Sequence, residues 1–207
     1  MTHQQVGEFW ERNAPAWTHL ARQGYDVYRD VVNTPAFLAI LPDVAGLCGL
    51  DVGCGEGHNT RLLTQLGASM FAVDIALGFV RAAATCAPSI PHAAGSAQQL
   101  PFAPATFDFA TAFMSLMDLP DPAASFQEIY RVLRPGGFLQ FSISHPCFST
   151  IHRRLLRDAR GRAFAVEVGR YFDRADGRIE RWIFSSAPPQ IRAGLPLFEV
   201  PLFHRTL

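Results

Sequence analysis

Between Leu47 and Ser144, apolar runs of strand length alternate with helical stretches, and this limits the fold more than any other feature of the chain. The strand-like runs are "LCGLDVG", "SMFAVDI", "IPHAAGS", "FDFATAFM" and "FLQFSIS". The first helical stretch, "HNTRLLTQLGA", puts Leu62, Leu63 and Leu66 on one face and stops at Gly67. "LGFVRAAATCAP" is closed by Pro88. "DPAASFQEIYRVLRPGG" has Asp121 as N-cap and Pro122 in its first turn. Its expected buried stripe is Phe126, Ile129, Val132 and Leu133, and its expected end is Gly136. Crossovers of this length predict parallel pairing, so the expected fold is α/β, a doubly wound, mostly parallel sheet with helices on both faces. Ligands in such sheets lie at the carboxyl ends of the strands, beside the point where strand order reverses.

At the end of the first strand stand three glycines at alternate positions, Gly53, Gly55 and Gly57, in "LDVGCGEG". Bare main chain lets a ligand lie close, and the helix that follows presents unpaired N–H groups. The spacing G-x-G-x-G is one residue tighter than the dinucleotide fingerprint G-x-G-x-x-G. Asp74 closes the next strand, where a carboxylate can accept two hydrogen bonds from vicinal ribose hydroxyls. The bland alternative is a tight strand-to-helix turn with Asp74 capping a helix. Taken together, the glycines and the acid favour a nucleoside with free 2′- and 3′-hydroxyls.

Composition narrows the function classes. The 207-residue chain is 49% hydrophobic and has zero formal net charge. That argues against a nucleic-acid partner or an anionic membrane. All eighteen basic residues are Arg. Cys48, Cys54, Cys86 and Cys147 follow no zinc spacing, so no metal is expected. With no leader-like start and no apolar run of spanning length, the expectation is a cytoplasmic protein.

The stretch from Leu50 to Ser144 resembles the class I S-adenosylmethionine-dependent methyltransferases, in particular the type 11 methyltransferase domain, whose fold is Rossmann-like. "LDVGCGEG" looks like their first motif, "FAVDI" like their second and "GSAQQLPF" like their adenine loop. The block from Phe107 to Ile143 resembles their fourth and fifth strands. The resemblance implies S-adenosyl-L-methionine as cofactor and a small-molecule methyl acceptor, and leaves the accepting atom open among oxygen, nitrogen, carbon and sulfur. It implies that Asp51 and Gly53 border the methionine amino group and that Gly55 and Gly57 keep the loop close, with Cys54 packed inside it. Asp74 would bind the ribose and Ile75 would pack on the adenine. Ser96 and Ala97 would touch the adenine edge, and Ala112 and Phe113 would bound the methionine tail. The family commonly has Asp where Ser96 stands, a departure that weakens the expected adenine contact.

Methyl transfer from a sulfonium is an in-line displacement, in which alignment supplies much of the catalysis. A base is needed only where the acceptor loses a proton. Asp118, after the fourth strand, and His145, after the fifth, are the catalytic candidates. The alternatives are that Asp118 binds loop amides and His145 anchors its loop. His204, alone in an apolar stretch, is a weaker candidate. Arg29 could reach the cofactor carboxylate from the N-terminal segment, or lie on a solvated helix face.

Three segments are expected: an N-terminal helical cap over 1–45, the cofactor-binding core over 46–144, and a lid over 145–207. The lid is expected to combine a helix or turn in the basic "HRRLLRDARGRAF" with an antiparallel hairpin from "GRIERWIFSS" and "LPLFEVPLFHR". Its Arg153, Arg154, Arg157, Arg160 and Arg162 form either a solvated face or an attractant for an acidic acceptor. The resemblance also implies a further helix and two strands beyond "FHRTL". Their absence leaves the fifth strand to be covered by the lid or by the second subunit of a homodimer. Two alternatives to an active methyltransferase stand beside it. One is a protein that binds S-adenosylmethionine or S-adenosylhomocysteine without catalysis; the other is a nicotinamide-dependent oxidoreductase, disfavoured by the glycine spacing.

Overall fold

In a computed structural model, described over residues 1–206, five strands form one parallel sheet: β1 (Cys48–Val52), β2 (Ser69–Asp74), β3 (His92–Ala94), β4 (Phe107–Phe113) and β5 (Leu133–Ser142). Their order is β3-β2-β1-β4-β5, so the chain runs outward from β1 in one direction and then returns to its other side at β4. The carboxyl ends of β1, β2 and β4 therefore meet at the reversal. Helices α3 (His58–Gln65), α4 (Leu77–Cys86) and α5 (Pro122–Val132) make the crossovers. Leu50, Val52, Val73, Ala110 and Ala112 bury one face of the sheet with Ile129 and Val132 of α5. Met70 and Phe109 bury the other face with Leu63 of α3 and Phe37.

The expected alternation is observed, with local corrections. Helix α5 ends at Val132, before Gly136, because Leu133 is already extended (φ −77°, ψ 142°) and opens β5. Pro135 accounts for the early stop: it pushes Arg134 out of the helical region and lacks an N–H for the ladder. Phe126 is exposed, because it lies edge-on to Phe141 of β5 at 5.6 Å; Ser125 takes the buried position beside Ile129 and Val132.

The N-terminal segment is helical but interrupted. Helix α1 (His3–Arg22) opens with Thr2 and Gln5 bonded reciprocally, as a capping box. After a break comes one π-helical turn, Arg29–Asn33, and then α2 (Thr34–Ala39). The basic stretch after β5 is a strand rather than a helix. Strand β6 (His152–Arg157) pairs antiparallel with β7 (Ala163–Gly169). The turn between them is set by Asp158, whose carboxylate accepts the N–H groups of Arg160 and Arg162, and by Gly161 at φ +77°. A second hairpin joins β8 (Ala175–Trp182) to β9 (Phe198–His204), with the short helix α6 (Pro189–Ala193) between them.

Neither hairpin pairs with β5, so among the described residues its outer edge has no strand partner. The β8–β9 hairpin packs instead on the N-terminal helix. Trp17 of α1 meets Phe184 and Phe198 at 4.8 Å and Trp182 at 5.5 Å. Asn13 adds a polar fastening: its side-chain amide donates to the Glu199 carbonyl and accepts the Glu199 N–H. Trp17 also meets Trp10, which lies 6.3 Å from Phe79 of α4. The two ends of the chain thus form one layer over the carboxyl ends of the sheet.

Candidate cofactor and acceptor site

The three glycines after β1 all take positive φ, but they differ in what surrounds them. At Gly53 (φ +74°) a Cβ would collide with the Ser115 side chain, whose Oγ would lie 2.7 Å away. Ser115 comes this close because its hydroxyl donates to the Val52 carbonyl, tying the loop after β4 to the end of β1. At Gly55 (φ +56°) nothing lies within 4 Å of where a Cβ would stand. The glycine there leaves open space over the main chain, as a cradle for a ligand requires. Gly57 is the N-cap of α3.

Asp74 is buried at the end of β2, with both oxygens already engaged. One accepts the Gly55 N–H at 2.8 Å and the other the Ala76 N–H at 2.9 Å. Each oxygen keeps a second lone pair. Burial pushes the carboxyl up to about 6, against the lowering effect of these bonds. Asp51 lies deeper, almost without solvent contact; Thr60 and Thr111 donate to its two oxygens, and burial raises it to about 6. It joins β1 to α3 and β4 from inside. Cys54 is enclosed in the loop, and burial, with Asp74 and Asp51 nearby, keeps its thiol protonated.

Sequence reasoning missed Glu56, between the second and third glycines. It is 4% exposed and is held by three arginines: Arg22 Nε at 3.1 Å, Arg61 Nη2 at 3.1 Å and Arg29 Nη1 at 3.4 Å. They come from α1, from α3 and from the π-helical turn. Arg29 also donates to Asp30 and to the Ala21 carbonyl, so it reaches the loop through Glu56. The available signal was a charged residue set between two of the loop's glycines, Gly55 and Gly57.

Ile75 and the loop 95–102, expected to border an adenine, lie beneath α1. Gly7 passes so close to Ile75 that a Cβ would stand 2.9 Å from its Cγ1. Glu11 accepts the Gly78 N–H, and His3 Nδ1 lies 3.0 Å from Gln98 Oε1. Ser96 turns its hydroxyl to the Gln98 N–H, and Ala97 packs on the core below. Ala112 is fully buried in that core, while Phe113 stacks on Phe37 of α2 at 3.8 Å.

After β4 the chain turns sharply at Met114, a non-glycine residue at φ +54°. Asp118 ends the single 3₁₀ turn that follows, Leu116–Asp118, against which β9 packs. Arg205, just past β9, donates to the carbonyls of Leu119 and Pro120. Among the described residues nothing hydrogen-bonds the Asp118 carboxyl, and enclosure by its surroundings raises it to about 8. The loop after β5 lies alongside, with the Ser144 N–H on the Met117 sulfur at 3.3 Å. His145 follows it; the residue is exposed, and its Nδ1 accepts the Cys147 N–H at 3.2 Å. His204 is buried between Ser149 and the Tyr171 carbonyl, an anchoring position.

Two surface hollows lie elsewhere. Arg12, Asn13, Phe198 and Glu199 line one; Phe172, Asp176, His204 and Arg205 line the other, and neither reaches the glycine loop. No group of three or more potential metal ligands occurs among the described residues. No described helix is long and apolar enough to cross a membrane.

The family described as "Methyltransferase domain" matches residues 50–141, the segment that carries the glycine loop, Asp74 and β4. A demethylmenaquinone methyltransferase of Corynebacterium kroppenstedtii is 39% identical over 114 residues, 53% of this chain and 49% of that protein. A malonyl-[acyl-carrier protein] O-methyltransferase of Pseudescherichia vulneris is 31% identical over 59% of this chain and 49% of its own length. The chain spans about half the length of these curated relatives. A solved structure of an S-adenosylmethionine dependent methyltransferase from Mesorhizobium loti superposes with a TM-score of 0.67 and 27% identity. That match covers 86% of this chain and 77% of the other.

Proposed function

We propose that this protein, whose residues 50–141 match the methyltransferase-domain family, uses S-adenosylmethionine to methylate a small-molecule acceptor beside Gly55. The observation that carries the proposal is the open space over Gly55, whose N–H is bonded to the buried Asp74. One hydrogen bond thereby joins the bare main chain to the ribose-binding acid. The bound cofactor supplies an electrophilic methyl group on a sulfonium; the chain's own residues bind, orient and shield it.

In this reading Asp74 accepts the ribose hydroxyls with the lone pairs left by Gly55 and Ala76. Ile75, Ser96 and Ala97 bound the adenine under α1. Asp51 acts from inside by holding β1, α3 and β4 in register. Arg29 acts through Glu56, which fixes the loop between the glycines. The acceptor enters where α1, β9 and the 116–118 turn converge.

Asp118 is the base for an acceptor that loses a proton. It is half-buried, has no hydrogen-bond partner for its carboxyl among the described residues, and is raised to about 8, within reach of the working range of a general base. His145 is the second candidate; its Nδ1 accepts the Cys147 N–H, so the neutral ring carries its proton on Nε2 and acts as a base only where Nδ1 gives up that hydrogen bond. The names of the relatives support a small acceptor group, free in a demethylmenaquinone methyltransferase and carried on a protein in a malonyl-[acyl-carrier protein] O-methyltransferase.

The test is calorimetric titration with S-adenosylmethionine, S-adenosylhomocysteine and NAD, followed by turnover on a panel of small acceptors. Binding of the first two without NAD, together with transfer to an acceptor, is expected. Preference for NAD refutes the cofactor assignment. Cofactor binding without turnover on any acceptor refutes the catalytic one.

A further inference from the structure

The β6–β7 hairpin stands apart. Among the described residues no other helix or strand packs along it, yet an isolated two-stranded ribbon is marginal in water. Its two faces differ in kind. On one, Glu167 accepts hydrogen bonds from His152 (2.9 Å) and Arg154 (2.8 Å), so that face neutralises itself. On the other, Leu155 pairs with Val166 and Arg153 with Val168 across the ladder, and all four are exposed. Phe164, at the bulge near the tip, is 69% exposed.

Charge is concentrated on the same element. Residues 152–169 hold five arginines against two acids in a chain of zero net charge. Arg162 and Arg170 pair with Asp158 and Asp173. Arg153 and Arg157 donate to the carbonyls of Phe148 and Gly161, and among the described residues neither has a carboxylate partner. Both fall on the apolar side of the ladder, two residues from Leu155 in each direction.

We propose that this face of the hairpin docks on an anionic lipid surface. Guanidinium groups flanking a strip of Leu, Val and Phe match the boundary between phosphate headgroups and acyl chains. With Phe164 as its one aromatic among Leu155, Val166 and Val168, the strip offers no row of rings for successive bases to stack on, which sets this face apart from a single-strand platform. The neutrality of the whole chain conceals the patch, because the compensating acids lie on other elements. The inference is independent of the cofactor assignment, since the hairpin lies outside the glycine loop.

The experiment is co-sedimentation with vesicles of equal phosphatidylglycerol and phosphatidylcholine, compared with phosphatidylcholine alone, at roughly 0.1 M salt, where surface charge still acts over about 10 Å. The full chain is expected to bind the anionic vesicles and to leave the neutral ones. Arg153→Gln with Arg157→Gln should weaken binding about fivefold per arginine. Leu155→Ser with Val166→Ser should weaken it while leaving the cooperative thermal unfolding of the chain in place, which shows that the core remains folded. Equal binding to both vesicles, or binding unaffected by either pair of changes, overturns the proposal. Tighter binding to a DNA or RNA fragment than to the anionic vesicles replaces it with a nucleic-acid partner. A dimer in light scattering that both pairs of changes dissolve replaces it with a second copy of the chain.

Discussion

Substituting Gly53 and Gly55 separately by alanine distinguishes folding from binding within one loop. Both residues take positive φ, so each alanine carries backbone strain of about 1–2 kcal/mol. At Gly55 nothing else stands in the way of the new methyl group. For a chain of this length, the melting temperature should fall by about 2–8 °C. At Gly53 the methyl group also meets Ser115 and strains the Ser115–Val52 hydrogen bond. Overpacking adds about 1–3 kcal/mol, for a total of roughly 2–5 kcal/mol and a fall of about 4–20 °C. Affinity should separate the two in a different way. The Gly55→Ala methyl group occupies the cradle, so S-adenosylhomocysteine should bind at least about tenfold more weakly, a loss of about 1.4 kcal/mol, to a protein that remains well folded. Thermal unfolding and calorimetric titration of both variants make the comparison. If Gly55→Ala binds as tightly as the native protein, nothing lies over that residue, and the reasoning from open space is refuted.

Three further outcomes are expected. Asp74 must be ionised for both oxygens to accept ribose hydroxyls, so cofactor affinity should fall as pH drops through about 6, and Asp74→Ala should weaken binding by ~1–3 kcal/mol and abolish that dependence; a pH-independent dissociation constant in the native protein contradicts this. Glu56→Gln leaves three arginines facing a neutral side chain, and with Arg22 still partly in water the loss should be about 2 kcal/mol, seen as a melting temperature about 4–8 °C lower; an unchanged melting curve refutes the clamp. For an acceptor that loses a proton, Asp118 serves as base only when ionised, so the rate should rise with pH through about 8 and Asp118→Asn should remove that rise; a variant that retains the profile shifts the role to another group.

What was legible in the sequence follows from locality. The alternation of apolar runs with helical stretches from Leu47 to Ser144 sets strand and helix, and the parallel pairing of β1 with β2 places the glycine loop and Asp74 side by side. The N-cap at Asp121 was equally local, since its carboxylate accepts the N–H of Ala124, three residues on. Glu56 was not legible, because its partners Arg22 and Arg29 are brought to it only when the cap folds over the loop. The basic stretch was expected to supply a helix or turn. Asp158 and Gly161 in its middle set a tight turn between two strands instead. Phe126 was assigned to the core by helical period alone, and its contact with Phe141 depends on where β5 lies. The union of α1 with the β8–β9 hairpin through Trp17 is likewise a property of the whole fold.

The central claim is that the main chain at Gly55 and the carboxylate at Asp74 share one nucleoside-bearing sulfonium. Crystals soaked with S-adenosylhomocysteine test it directly. The predicted result is a ligand whose ribose hydroxyls lie within hydrogen-bond reach of Asp74 and whose amino-acid tail crosses Gly55. A ligand seated anywhere else, or native crystals that take up none, would contradict it.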